Sequence, residues 1–193
     1  MELSPKWYHW FVRPKWVTHR YIHNVIQDYF DFNGKTVIDF GCGVGSNSSM
    51  FAPASYLGLD CDSQRISYAQ RLYPDYSFQV FDRNRVPVAD NSVDYILIVA
   101  VLHHIPSEEL HAYLQEFRRI LKPYGKIIVM EPCLDLNSPV SNWFMTFFDK
   151  GHYIRNEDDY MKLFLRNEYQ INRLKQFKKL LLYNELFFSA VPK

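Results

Sequence analysis

Apolar residues return at helical spacing over residues 15–32, where Trp16, Val17, Tyr21, Ile22, Val25, Ile26, Tyr29 and Phe30 share one side, and Asn33-Gly34 stops the run. The period then changes. Residues 35–40 predict a first strand, Tyr56–Asp60 a short second one, and residues 76–82 an alternating third. Between the last two, Asp62 or Ser63 caps a helix that runs through Ile66, Ala69 and Leu72 and stops at Pro74. Val93–Val99 is the most strand-like run and predicts the sheet centre. Ser107-Glu108-Glu109 opens a helix with a cap and acids in its first turn, and its apolar face is Leu110, Tyr113, Leu114, Phe117, Ile120 and Leu121. Pro123-Tyr124-Gly125 turns the chain into a fifth strand over 126–130. Strands alternating with helices predict a doubly wound parallel sheet.

The last third breaks that rhythm. Residues 132–153 read as a long, aromatic-rich connection, and 157–166 as a helix with Tyr160, Met161, Phe164 and Leu165 on one face. Strands follow at 169–182 and 186–191, with only Tyr183-Asn184-Glu185 between them. So short a gap suits antiparallel neighbours and excludes a crossover. The expected architecture is a single α/β domain around a seven-stranded sheet, mostly parallel, with the last strand antiparallel. Its parts are an N-terminal helical cap (1–34), a core (35–131), an insertion (132–168) and a closing strand pair (169–193).

Composition narrows this little. The 193 residues suffice for one α/β domain with a full core. A formal net charge of +1 gives no general polyanion-binding field, so nucleic acid is not the expected partner. Cys42, Cys61 and Cys133 are too sparse and scattered for a disulfide frame or a zinc site, which suggests a reducing, cytoplasmic setting. No apolar run reaches the ~18 residues of a membrane span, and residues 1–7 lack a signal-peptide core. Aromatics make up 17% of the chain and crowd into 7–16 and 143–164.

The chemistry concentrates at Val37-Ile38-Asp39-Phe40-Gly41-Cys42-Gly43-Val44-Gly45. A buried strand leads into a turn with glycine at every second position, followed by Ser46-Asn47-Ser48-Ser49, a natural helix start. Such a turn brings backbone N–H groups close to a nucleotide without obstructing Cβ atoms. A dinucleotide fingerprint needs its third glycine at Ser46, which disfavours a nicotinamide-dependent oxidoreductase. The Asp-x-Gly-x-Gly-x-Gly form resembles motif I of the class I S-adenosylmethionine (SAM) methyltransferases. The segment from Asp82 to Pro106, with Val-Leu-His-His-Ile-Pro, and the run from Glu116 to Lys126 resemble the small-molecule "type 11" branch. The likeness is dense over 35–131 and weak over the tail.

That resemblance implies a Rossmann-like fold that binds SAM and releases S-adenosylhomocysteine. It implies a cofactor site built from Asp39, Gly41, Cys42, Gly43 and Gly45 of the turn, Asp60 and Cys61 after strand two, Asp82 and Arg83 after strand three, and Val99 at the end of strand four. Asp60 is suited to accept hydrogen bonds from both ribose hydroxyls. Asp82 lies where the family meets the adenine amine. Asp39 has two open roles, bracing the loop or bonding a water near the methionine amine, and Cys42 also reads as a small buried filler. His103 and His104 follow strand four and are the candidates for proton removal, against the alternative that one ring fixes the loop.

No metal is required for transfer from an activated sulfonium, and the sequence shows no ligand spacing. The segment after strand four lacks the Asn/Asp-Pro-Pro-Tyr that nucleobase amine methylation needs, and no second motif makes Cys133 a nucleophile. The expected acceptor is a small or lipid-like molecule with an O- or N-nucleophile. Trp10, Arg13, Phe147, His152 and Tyr153 are the candidate acceptor residues, drawn from two aromatic segments that suit a lid. Arg13 or His19 can also reach for the SAM carboxylate. The basic, aromatic N-terminus equally suits packing on the sheet, a peripheral membrane contact or stacking on RNA. A SAM-binding module without catalysis shares every cofactor motif. Oligomeric state is not legible.

Overall fold

The computed structural model describes residues 15–82, 85–149 and 151–193. Trp10, Arg13 and Arg83, and with them residues 1–14 of the expected N-terminal cap, fall outside the described residues. The chain divides into two compact units at Val86/Pro87.

In the first unit, α1 (Lys15–Thr18), a π-helical turn (His19–His23) and α2 (Asn24–Gln27) form one helical run. It ends earlier than the expected residue 32. The chain folds back after Asp28, and Phe32 meets Phe51 edge-on at 4.8 Å instead of extending the helical stripe. Strands β1 (Val37–Phe40), β2 (Tyr56–Asp60) and β3 (Ser77–Val80) pair in parallel, with β2 in the middle. All four residues of β1 are buried, as a parallel strand covered on both faces requires. Helix α3 (Ser63–Leu72) starts at Asp62, whose carboxylate accepts from the N–H of Gln64 and Arg65.

The helix expected after the glycine turn does not form. Only a 3₁₀ turn over Ser48–Met50 follows. Pro53 holds Ala52 extended at φ −70°, ψ 132°, so the segment is too short for an α-helix. The glycine turn is therefore not backed by the dipole of a following α-helix.

The second unit is built on β5 (Leu121–Leu134). On one side β4 (Val93–Val99) pairs with it in parallel. On the other, β8 (Tyr183–Pro192) runs antiparallel to both β5 and the edge strand β7 (Tyr169–Lys179). The two-residue β6 (Arg155–Asn156) pairs with β5 near its end. Seven predicted strands are thus present, with β6 added. β5 is longer than predicted because pairing resumes across a bulge at Pro123-Tyr124-Gly125, from Val93↔Leu121 to Tyr95↔Lys126.

Helix α4 (Ser107–Ile120) buries Leu110, Leu114, Phe117 and Ile120, and α6 (Glu157–Arg166) buries Tyr160 and Phe164. The buried tyrosines keep their hydroxyls satisfied: Tyr160 donates to the Pro132 carbonyl at 3.2 Å and Tyr169 to that of Leu114 at 2.7 Å. Phe164 meets Phe188 edge-on at 5.1 Å, so part of the tail's aromatic excess is ordinary core.

Two corrections concern the tail. Residues 139–148 form a helix, α5 (Pro139–Phe148), inside the stretch read as irregular. Its start is regular, with Pro139 in the first turn and Asp135 accepting from Ser138 Oγ at 3.0 Å. Its outer face, however, is aromatic, and this hid the amphipathic period. The β7–β8 turn lies at Leu180-Leu181-Leu182 rather than at Tyr183-Asn184-Glu185. Asn184 and Glu185 are buried, and Glu185 accepts a hydrogen bond from Lys179 across the hairpin, which makes them strand. The displaced turn puts Leu180 (φ 51°) and Leu181 (φ 68°) in left-handed backbone, at roughly 1–2 kcal/mol each.

Candidate active site

In the first unit, the backbone after β1 turns sharply. Gly41 (φ 74°), Gly43 (φ 56°) and Gly45 (φ 77°) all adopt left-handed backbone. The N–H groups of Gly41 and Cys42 both donate to the Leu59 carbonyl, at 2.7 and 2.9 Å. Asp60 closes the turn: one carboxylate oxygen accepts from Gly43 N–H at 2.8 Å and the other from Asp62 N–H at 2.9 Å. A Cβ built on Gly43 would meet nothing within 4 Å, so the turn presents an open concave side there.

Asp39 is buried and accepts from Tyr56 Oη at 2.9 Å and from Asn47 Nδ2 at 3.4 Å. Of its two open roles, these contacts serve bracing of the loop. Burial first, then the Asp39 charge, pushes the Tyr56 hydroxyl well above its usual range. Cys42 is buried as a filler. Burial, with Asp39 and Asp60 nearby, pushes its thiol up and leaves it un-ionised. Cys61 and Asp82 are exposed.

In the second unit, Val99 is buried at the end of β4, and Ala100 follows in left-handed backbone at φ 56°. The chain then turns around one carboxylate. Glu131, fully buried at the end of the apolar part of β5, accepts from Val101 N–H at 2.6 Å, Leu102 N–H at 2.8 Å and His103 N–H at 3.3 Å. It also lies 2.7 Å from His103 Nδ1. Asp149, after α5, meets the opposite ring nitrogen, Nε2, at 3.4 Å. Burial alone would lower the His103 pKa. The bonds to Asp149 and Glu131, and the charge of both, override it and carry the pKa up to about 9. Burial acts on Asp149 in the opposite sense to its His103 contact, and the contact prevails, holding that carboxyl below its usual range.

The loop after Asp149 wraps this ring. Tyr153 N–H donates to the His103 carbonyl at 3.0 Å. A Cβ on Gly151 would lie 2.0 Å from His103 Cδ2, so only glycine admits this approach. Arg155 fastens the loop from behind. Its buried guanidinium donates to the carbonyls of Leu102 and Ile105, both at 2.8 Å, and of Tyr153 at 3.0 Å.

Of the predicted residues in this unit, His103, His104 and Tyr153 come together; the two imidazole centroids are 4.1 Å apart. His104 and His152 are exposed. Phe147 is 68% exposed and stacks on Trp143 at 5.6 Å. The fold also assembles a cluster without sequence spacing: ligand atoms of His103, His104 and Asp149 lie within 4.8 Å of one another. Sequence reasoning missed Glu131 and Asp149 as site residues, and it placed Arg155 with the aromatic lid segment, where the structure makes it a fastener of the loop. The readable signal for Glu131 is a lone acid ending an apolar strand, Ile127-Ile128-Val129-Met130-Glu131.

The sequence profile of the family described as "Methyltransferase domain" matches residues 38–129, from β1 through most of β5. Over that stretch, just under half of its length, the chain is similar to the class I SAM-dependent methyltransferases. It is 31% identical over 114 residues, 55% of this chain and 43% of the other, to a probable phthiotriol/phenolphthiotriol dimycocerosates methyltransferase of Mycobacterium ulcerans. It is 34% identical over 101 residues to the fatty-acid O-methyltransferase of Mycolicibacterium smegmatis, covering 49% of this chain and 36% of that one. The chain thus spans less than half the length of these relatives. In fold it resembles the magnesium protoporphyrin IX methyltransferase of Synechocystis, solved with bound S-adenosylhomocysteine, at a TM-score of 0.72 and 22% identity over 95% of this chain and 88% of that one.

SAM is the cofactor of this family. The methyltransferase turn fits it on two observations. Gly43 opens onto free space, and the buried atoms Ser46 Oγ, Asn47 Oδ1 and Ser48 Oγ just beyond it have no partner within the protein.

Proposed function

We propose that the chain transfers the methyl group of SAM to a small or lipid-like acceptor through an oxygen or nitrogen nucleophile. The observation that carries the reading is the Glu131–His103 pair, a buried carboxylate that fixes one nitrogen of an imidazole and directs the other outward to Asp149. The named relatives, which by their names act on a fatty acid and on phthiotriol/phenolphthiotriol dimycocerosates, support the acceptor class.

The sulfonium supplies an already activated methyl. Asp60 and the glycine turn are the groups to hold the nucleoside, with Asp60 offering its remaining lone pairs to the ribose diol. Glu131 selects the tautomer and orientation of His103, with Nε2 facing Asp149. With its pKa at about 9, His103 rests as an imidazolium bridged to Asp149 at neutral pH. The neutral ring takes the acceptor's proton, so turnover rises with pH toward about 9. Tyr153 and His152, on the loop that covers His103, bound the acceptor.

The test is release of S-adenosylhomocysteine from SAM with fatty acids and hydroxylated lipids as acceptors, for the wild type and His103→Gln. A loss of roughly 10²–10⁴-fold in kcat is expected. Wild-type turnover in His103→Gln would remove the base assignment. SAM binding without turnover on any acceptor would favour a binding module.

A further inference from the structure

The leucine tip of the β7–β8 hairpin serves the turn poorly. Positions with left-handed backbone in a tight hairpin favour asparagine and glycine. Here Leu180 and Leu181 occupy them and remain 51% and 84% exposed. A strained turn that displays apolar side chains to solvent points to a contact outside the folded chain.

A second apolar surface lies beside it. On α5, Val140, Trp143, Phe147 and Phe148 are each at least 60% exposed. The two surfaces are tied together. Asp149, the residue after Phe148, accepts a hydrogen bond from Tyr183 Oη, and Lys179 Nζ lies 4.5 Å from the centre of the Tyr183 ring at the hairpin root. The strand that leads to the tip is basic: residues 169–183 include Arg173, Lys175, Lys178 and Lys179 and no acid. Lys175 and Lys178 are exposed. Arg173 is paired with Glu157, and Lys179 with Glu185.

We propose that the tip leucines and the aromatic face of α5 form one surface that seats on an anionic lipid bilayer. Leucines and rings enter the acyl boundary, Trp143 suits the interface, and the lysines meet negatively charged headgroups. Among the described residues no helix is long and apolar enough to cross a membrane, so the contact is peripheral. A second copy of the chain is the poorer occupant, because a two-fold contact would set the Lys175 and Lys178 strands of both copies against each other. This surface uses none of the residues assigned above to SAM or to proton removal.

The experiment is co-sedimentation of the full chain with vesicles of phosphatidylcholine alone and of phosphatidylcholine mixed with phosphatidylglycerol. The wild type is expected to sediment with the mixed vesicles, less so at high salt and least with the neutral ones. Leu180→Asn combined with Leu181→Gly gives the turn its preferred residues. That variant keeps or raises Tm and binds the mixed vesicles about tenfold more weakly. Lys175→Glu with Lys178→Glu, both at exposed positions, weakens binding by a similar factor without loss of fold. The proposal is overturned if the wild type stays in the supernatant with mixed vesicles or if the turn variant binds as well as the wild type. A dimer in light scattering that the turn variant dissolves assigns the surface to a second copy and overturns it too. Because none of these readouts involves SAM, failure here leaves the methyl-transfer reading untouched, and the reverse also holds.

Discussion

Glu131 and His103 form the central contact of the second unit: one buried carboxylate takes the ring Nδ1 at 2.7 Å and, with the same two oxygens, the N–H groups of residues 101–103. The turn after β4 is folded around an anion that the strand beside it supplies.

The first consequence is a pH dependence of stability. The folded pKa of His103, about 9, lies above its ordinary value of 6.5. Its contribution is therefore fully present below pH 6.5 and is lost as pH rises through about 9. The magnitude is on the order of 3 kcal/mol at most. Thermal unfolding between pH 6 and pH 10 should show the wild type losing stability relative to His103→Gln over that window. Parallel curves for the two proteins would show that the ring titrates near its ordinary value.

Gly151→Ala tests the close approach to the same ring. The new methyl would overlap His103 Cδ2, and the loop from Asp149 to Tyr153 has to lift. The expected result is a protein that stays folded and binds SAM normally, while kcat falls about 10²-fold through misplacement of the reacting groups. Normal kcat in this variant would mean that the loop moves freely and that its packing has no part in catalysis.

Asp60→Ala should weaken SAM binding by about 1.5–3 kcal/mol, measured by calorimetry. Because the carboxylate also accepts from Gly43 and Asp62, the variant should lose Tm as well. Asp60→Asn separates the two effects, since its single side-chain oxygen can brace one N–H but carries no charge for the ribose diol. Unchanged affinity in both variants would remove Asp60 from the cofactor site.

Arg155→Ala should be among the more damaging substitutions in the second unit. It leaves the carbonyls of Leu102 and Ile105 without their buried charged donor, and each unsatisfied acceptor costs about 1–3 kcal/mol in chemical denaturation. Arg155→Lys should recover only part of that loss, because an ammonium cannot reproduce the planar fork that spans the two carbonyls.

The sequence reads well where local pattern and tertiary role agree. β4 and the start of α4 fall at the predicted residues because an unbroken apolar run and an acidic first turn each admit one reading, although Ser107 is the first helical residue and caps nothing. The glycine turn was legible for the same reason, since positive φ restricts residue choice. Misreadings arose where long-range partners override local preference. Asn184 and Glu185 look like turn residues, but Lys179 and burial recruit Glu185 into the sheet. The lower tendency of leucine to turn could not reveal a hairpin tip at 180–182. The helix absent after the glycine turn was removed by Pro53, a breaker visible in the sequence. Asp149 was out of reach of sequence spacing: only the folded loop brings it to a histidine far back in the chain.

Asp149 answers to two masters at once, the His103 ring and the Tyr183 hydroxyl. One carboxylate shared in this way makes the hairpin root and the histidine thermodynamically linked without contact between them. Removing the phenol, as in Tyr183→Phe, takes a donor from Asp149, makes that carboxylate a better acceptor and strengthens its hold on the imidazolium proton. The residue that follows the leucine tip thereby sets the proton affinity of the His103 ring.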